Sequence, residues 1–544
     1  VRWLCLALAL GACVKRVPDE KPTIVFVARL VRTMDPSRPT AQAVAWRDGK
    51  LLAVGSKAEV LRAAGPGAVV EEFPGATIVP GLVDAHAHLA GLGRALSIVS
   101  LLDAKDEADA VARVQAAPKT AFQGDWLVGR GWDQNDWPGQ RFPTRASLDA
   151  VFPRTPVYLS RVDGHAAWVN SEALRRAGIT AATKDPAGGR IVRDAQGEPT
   201  GVLVDNALDL VFAKVPKPSE DELRARLKLA LETCARLGLT QVHDAGMDLA
   251  TFKQLQAWDL VRALPTRLYV MADGQGDEAE QYLGLGPAAG RLVELKAVKL
   301  LADGALGSRG AALHQPYSDE PTQKGLLLLS DEDFAQRARA FAERGFQVAV
   351  HAIGDLANTR VIDVLSTLDP KLRHRVEHAQ VLTAEDVGRL AQSGLVASFQ
   401  PTHATSDMPW AEARLGPERV RFAYAWRSVL DAGGRVAFGS DFPVESPNPL
   451  LGIYAARTRQ DAAGNPPGGW HPEQRVTGEE ALAGFTTGAA WAAFAEDRRG
   501  MLREGFDADL VVLPVDPVAD EPKALLDAKV LVTVVDGIDV YRQR

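Results

Sequence analysis

Cysteine is nearly missing: the 544-residue chain has three, at positions 5, 13 and 234. Two of them fall in an apolar leader, so no intramolecular disulfide framework can form and the core must hold the fold. No basic block is present either. The balance of 62 Lys+Arg against 69 Asp+Glu gives a net charge of -7, which argues against a nucleic-acid partner. The leader's apolar run, Trp3 to Leu10, is too short to span a bilayer. No internal repeat or low-complexity tract stands out, which leaves no ground for a solenoid. What is there is ordinary globular material, 46% apolar and 24% charged, with enough to build a large core. The length exceeds one ordinary domain, although a barrel with insertions takes up much of it.

The leader has the dimensions of a signal h-region behind Arg2, followed by Gly11-Ala-Cys13 and then Lys15-Arg16. Leu10-Gly-Ala-Cys13 resembles the lipobox of bacterial lipoproteins. The resemblance implies a signal peptide over residues 1–12, lipidation of Cys13 and a linker over 13–22. It further implies membrane contact through the lipid and a place in the bacterial cell envelope, on the periplasmic side of the outer membrane. If the leader is not a signal, the chain is cytoplasmic. Cys234 lies in the helical pattern Leu229-Ala-Leu-Glu-Thr-Cys-Ala235 and reads as core rather than as a nucleophile.

Strand-like segments sit at both ends. Thr23 to Ala28 and Ala43 to Gly55 read as strands, the second folded about an Asp48-Gly49 hairpin turn. Ala508 to Leu513 and Val530 to Tyr541 repeat that texture around Asp536-Gly537. Neither pair can bury a face alone, so residues 23–79 and 500–544 are expected to join in one small β-sandwich domain, with residues 80–499 inserted between them. The centre alternates strands (Leu239 to Asp244, Leu295 to Leu301, Phe346 to His351, Arg375 to Ala379, Leu395 to Gln400, Arg435 to Asp441) with helices such as Glu222 to Leu237, Asp331 to Arg344 and Ala384 to Gln392. Repeated βα units predict an α/β fold, a (β/α)8 TIM-like barrel. The stretch from about 125 to 210, rich in Trp, Pro and Gly, breaks the rhythm and reads as an insertion at the barrel mouth.

Ile78-Val-Pro-Gly-Leu-Val-Asp-Ala-His-Ala-His-Leu89 ends a buried strand with His86 and His88. Side chains two apart share a face of a strand. The two imidazoles therefore either present themselves to one divalent metal or are hydrogen-bonded loop histidines. His351 ends another apolar strand, His378 and Asp441 follow two more, and Lys299 lies within a third. Carboxyl ends of barrel strands converge on one mouth. An inward lysine otherwise needs an acid to offset its desolvation, and Asp303, one turn further on, is the structural candidate.

These motifs together resemble the amidohydrolase superfamily, in its Amidohydrolase-3, YtcJ-like branch that includes N-substituted formamide deformylases. They are Pro80 to His88, Val298-Lys-Leu-Leu-Ala-Asp-Gly-Ala-Leu-Gly-Ser-Arg-Gly-Ala-Ala312, His351-Ala-Ile-Gly-Asp355, Val376-Glu-His-Ala-Gln380, Gln400-Pro-Thr-His-Ala-Thr-Ser-Asp407, Gly439-Ser-Asp-Phe-Pro-Val-Glu445 and Phe506 to Leu513. The likeness runs from about residue 22 to 544 and departs from the pattern at Leu356, where arginine is expected. It implies that His86 and His88 bind one metal, and His351 and His378 a second. Lys299 would bridge them as a lysine carboxylated by carbon dioxide, and Asp441 would ligate the first metal and shuttle protons. The implied cofactor is a divalent metal, two zinc ions per chain, although manganese, iron and cobalt also suit such ligands. The implied activity is hydrolysis of non-peptide amide or formamide C–N bonds in a small molecule, using a metal-bridging hydroxide. A deaminase of the same superfamily and a non-catalytic metal- or solute-binding lipoprotein are the rivals. Lys299 counts against the first and Asp441 against the second.

Other polar residues have two readings each. His165 is either a substrate contact or a surface structural residue, and Arg309 either grips a carbonyl or carboxylate or pins a loop by an ion pair. Trp132 and Trp137 either wall a substrate site or pack the insertion. His243, Asp244 and His403 either line the pocket or support it from behind, while His314, His374 and His471 read as surface or structural. Oligomeric state has no sequence signal.

Overall fold

The computed structural model describes residues 22–134, 137–161, 166–186, 189–205, 207–307 and 309–544. Eight parallel strands in sequential order form its centre. They are β1 (Leu82–Ala87), β2 (Leu239–Met247), β3 (Arg267–Asp273), β4 (Val293–Leu301), β5 (Gln347–Ala352), β6 (Arg375–His378), β7 (Val396–Phe399) and β8 (Arg435–Phe438). The barrel closes just past the strand ends. The Asp441 amide donates to the His86 carbonyl at 2.7 Å and the His88 amide to the Phe442 carbonyl at 2.8 Å. Asp84 accepts from the Ser440 amide at 3.0 Å and from its hydroxyl at 2.6 Å. Gly439 is needed at this seam, because a Cβ there would lie 2.5 Å from the His86 nitrogen. The strand β3 has no counterpart in the sequence reading; its segment Arg267-Leu-Tyr-Val-Met-Ala-Asp273 is the eighth stave of the expected barrel.

The helix Glu220–Arg236 starts on a capping box in which Ser219 and Glu222 satisfy each other's backbone amides. Its Leu227, Leu231 and Cys234 enter the core that wraps the outside of the barrel, so Cys234 is indeed core. Helices Asp331–Glu343 and Ala384–Ser393 fall where the periodicity puts them. Among the described residues no helix is long and apolar enough to cross a membrane.

The chain ends do meet. A mixed sheet of seven strands runs in the order Ile538–Arg542, Val532–Val535, Leu510–Leu513, Val69–Pro80, Ile24–Arg32, Thr40–Arg47, Lys50–Gly55. Leu510–Leu513 lies antiparallel to Val69–Pro80. Both turns, Asp48-Gly49 and Asp536-Gly537, have positive φ at both residues, the conformation a two-residue hairpin needs to match strand twist. A third sheet, of seven strands between Val99 and Asp205, leaves the barrel after β1 and returns before β2.

The terminal sheet is tied to the barrel by charge. Arg267, at the start of β3, donates to Asp509 from Nε at 2.7 Å and from Nη2 at 3.1 Å, with both partners about 5–6% exposed. Burial pushes the Asp509 carboxyl up, but Arg267 and the Asp536 amide more than offset this and hold it below its ordinary value. Asp509→Ala takes away that arginine's two shortest contacts and leaves it Asp536 at 3.4 Å and Asp507 at 3.6 Å, so it is expected to cost about 1–3 kcal/mol, read as a lower urea midpoint. With a depressed folded value, the carboxylate's contribution is full above pH ~4 and is lost as pH falls through the folded value. Acid should therefore narrow the gap between variant and wild type.

Candidate metal centre

Every barrel strand ends at one mouth, and the expected ligands arrive there from five of them. His86 and His88 come from β1 and the residue after it, Lys299 from β4, His351 from β5, and His378 from β6. Asp441 follows β8. Its backbone and that of His378 are left-handed, with φ of 60° and 70°, a conformation costing a non-glycine residue about 1–3 kcal/mol and frequent at functional sites. On β6 this turn swings the His378 ring, which would otherwise follow the strand's alternation, into the mouth.

Two groups of ligand atoms there have the spacing of a metal site, His86–His88–Asp441 and His378–His403–Asp441, with atoms in each group within 4.8 Å of one another. Asp441 belongs to both. Its Oδ1 is 3.1 Å from His88 Nε2 and 3.6 Å from His86 Nε2, yet it makes no hydrogen bond. His403 Nε2 and His351 Nε2 are likewise buried without a hydrogen-bond partner. Buried polar atoms are nearly always satisfied. Lone-pair atoms that converge without donors between them are what a shared cation would satisfy, and imidazole with carboxylate suits a divalent one. The residues fit a divalent metal, and this is the chain's metal-binding site.

Lys299 Nζ reaches 3.1 Å from His86 Nε2 and is buried. Desolvation draws its pKa down to about 8 against the pull of Glu377 and Asp441. Asp303 is not its partner, contrary to the structural expectation. That carboxylate accepts the amides of Ala312, Ile353 and Gly354 at 2.8–3.0 Å and lies 3.6 Å from His351 Nε2. Its work is to tie the loop after β4 to the end of β5. Burial raises the Asp441 carboxyl, but the His88 contact and the nearby His86 and His378 rings reverse this and leave it well below its ordinary value. It stays ionised at neutral pH.

The outcome for the remaining candidates is mixed. His351 stacks edge-on against His378 at 4.6 Å, while the second group takes in His403 instead, from the first turn of helix Pro401–Arg419. Arg309 does not point a free guanidinium at the cavity. It is held by Asp319 at 2.9 and 3.2 Å, so the loop-pinning ion pair is the outcome. Trp132 is fully buried against Trp137, Phe142 and Trp168, with its indole nitrogen donating to the Leu159 carbonyl. It packs the third sheet and does not wall the cavity. Asp244 accepts from the Leu89 amide at 2.7 Å and starts helix Leu89–Ser97. His165 and Cys13 lie outside the described residues.

Sequence reading missed Glu377. It sits at 0% exposure with an oxygen hydrogen-bonded by His86 Nδ1. The signal was available: Arg375 and Glu377, opposite charges two apart on a buried strand, must share a face.

The cavity at the mouth holds about 610 Å³, the size of a small-molecule site. Leu301, Leu306, Ile353 and Trp410 give it apolar walls, and Asp273, Asp407 and Glu445 bring carboxylates that have no ion pair among the described residues.

A parallel barrel carrying imidazole, carboxylate and lysine at the carboxyl ends of its strands defines a metal-dependent hydrolase acting on carbon–nitrogen bonds. The Amidohydrolase family model matches residues 74–541, and the chain belongs to that family. YtcJ of Bacillus subtilis (strain 168) is 37% identical over 529 residues, covering 94% of this chain and 98% of its own. The N-substituted formamide deformylase of Arthrobacter pascens is 30% identical over 545 residues, covering 96% and 98%. A metal-dependent hydrolase from Pyrococcus horikoshii superposes with a TM-score of 0.77 at 25% identity, over 92% of this chain and 99% of that one.

Proposed function

We propose that the chain hydrolyses the carbon–nitrogen bond of small non-peptide amides, N-substituted formamides foremost, with two zinc ions joined by a carboxylated Lys299. The observation that carries this reading is the pair of ligand groups sharing Asp441, with Lys299 Nζ 3.1 Å from His86 Nε2. In this reading His86 and His88 hold the first ion, His378 with His403 and His351 the second, and Asp441 serves both. When bound, divalent metal lowers the pKa of water from about 15.7 towards roughly 7 and polarises a carbonyl.

The chain's own residues supply the rest. The Lys299 amine, in its neutral form, would add to carbon dioxide through a new N–C bond and give up one N–H proton to solvent, leaving a carbamate anion with two oxygens. Asp441, ionised beside the attacking water, takes its proton and returns it to the departing nitrogen, acting first as base and then as acid. The apolar walls of the cavity take the amine substituent and exclude water from it. The formamide preference rests also on the likeness to the deformylase. The lysine favours this reading over that of a one-metal deaminase.

The test is a substrate panel offered to the metal-loaded protein. N-formyl and N-acyl amines should turn over and amidines should not. N-acyl amino acids should be poor substrates, because their carboxylate would face Asp273, Asp407 and Glu445 with no free cation among the described lining residues. Deamination without amide hydrolysis would overturn the proposal. The lipobox-like Leu10 to Cys13 supports a lipid-anchored envelope protein, and a Cys13→Ser chain that still fractionates with membranes would refute that part.

A further inference from the structure

Below the ligand groups the barrel axis carries charge. TIM barrels usually fill this space with layers of branched aliphatic side chains. Here Ala245, Ala297 and Ala349 line it together with Tyr269 and Met271, and beside them stand Arg375, Glu377 and His243, each fully buried. Arg375 Nε donates to Glu377 Oε1 at 2.6 Å and Nη2 to Oε2 at 3.2 Å. The same guanidinium donates to the Ala85 carbonyl at 2.6 Å and to Ser398 Oγ at 3.1 Å. Its Nη1 lies 3.1 Å from His243 Nδ1. Glu377 is therefore gripped on both oxygens by a group anchored to β1 and β7, and it cannot rotate away from His86.

Among the described residues, His86 is the ligand hydrogen-bonded to this device. Its Nδ1–H donates to Glu377 Oε2, which leaves the lone pair on Nε2, the atom facing Lys299 and Asp441 at 3.1 and 3.6 Å. A histidine whose other nitrogen is so engaged has one tautomer and one ring orientation, and it is a stronger donor to a metal. Stability alone does not call for the pair, since well-packed apolar residues commonly replace a buried ion pair at no loss. We infer that Glu377, clamped by Arg375, is a positioning residue that fixes His86 as the Nε2 ligand of the first metal. The inference rests on the metal-centre reading proposed above.

Glu377→Gln keeps the shape and removes the charge, and Arg375→Met with Glu377→Gln removes both charges. Zinc affinity is read by competition with a chromogenic chelator, the cobalt-loaded site by its visible spectrum, and the stability of the metal-free chain by melting. The single variant should bind one of its zinc equivalents about 10–100-fold more weakly and melt early when metal-free, because the Arg375 charge is left uncompensated. The double variant should regain the melting temperature and keep both the weakened affinity and an altered cobalt spectrum. A double variant with wild-type affinity and spectrum would make the pair merely structural and overturn the inference alone. Wild type that binds no zinc would overturn the metal-centre reading with it. Should neither variant fold, the unaltered zinc-loaded protein still decides. Its nitrogen-15 histidine spectrum must contain a strongly deshielded Nδ1–H for His86, and its absence refutes the assignment.

Discussion

Asp441→Asn is expected to lower kcat by about 10²–10⁴-fold even at saturating metal. Asparagine fills the same volume and can still offer one oxygen to an ion. It cannot accept the proton of the attacking water or return one to the leaving nitrogen. Asp441 belongs to both ligand groups, so the substitution also removes negative charge from each, and metal affinity should fall alongside. Measuring kcat across a metal titration separates the two effects: the affinity loss disappears at saturation, the proton-transfer loss does not. In wild type, the His88 contact and the neighbouring rings offset burial and hold the Asp441 carboxyl well below its ordinary value. Its protonation cannot be the source of an activity loss between pH 6 and 7. A variant with wild-type kcat at saturating metal would leave Asp441 as a ligand and no more.

Lys299→Ala should be the other severe lesion. The side chain is buried in the cavity floor beside His86, and Asp441, the carboxylate common to both groups, would be left to hold two cations alone. Loss of an outer partner of a ligand costs about 10–100-fold in affinity or activity; removing a bridging ligand should exceed that, and one metal equivalent should go with it. The space left behind suits a short carboxylic acid, so formate or acetate should restore part of the turnover to Lys299→Ala and none to Asp441→Asn. Wild type should also take up label from isotope-labelled bicarbonate, and the variant should not. Full activity in Lys299→Ala would refute the bridging role.

Much of this arrangement was legible because barrel chemistry is written at strand ends. An apolar run that stops at His86, His351 or Asp441 announces both the strand and the group at its mouth, and the two Asp-Gly turns announced the terminal sheet. The residues that escaped carry their information sideways. His403, read only as lining the pocket or supporting it from behind, lies on the first turn of a helix, where no alternation marks it as a ligand, and it reaches the second group only because β7 ends just before. Glu377 looked like a spacer between Val376 and His378, since the partner that gives it meaning, His86, is 291 residues away. Strand β3 follows Pro265 and starts on Arg267, which breaks the apolar run that would have marked it. Trp132 had an aromatic neighbourhood compatible with a pocket wall, and only the position of the third sheet places it in a packed interior. Arg309 lies in one of the motifs that carry the family resemblance, but the identity of its partner, Asp319, depends on how the loop after β4 folds back.

The most direct measurement is metal content against turnover in the unaltered chain. Stripping with a chelator should remove two equivalents of divalent metal and all hydrolysis of an N-formyl amine, and adding zinc back should restore both in step. Turnover that persists undiminished in the metal-free chain would contradict the account at its root.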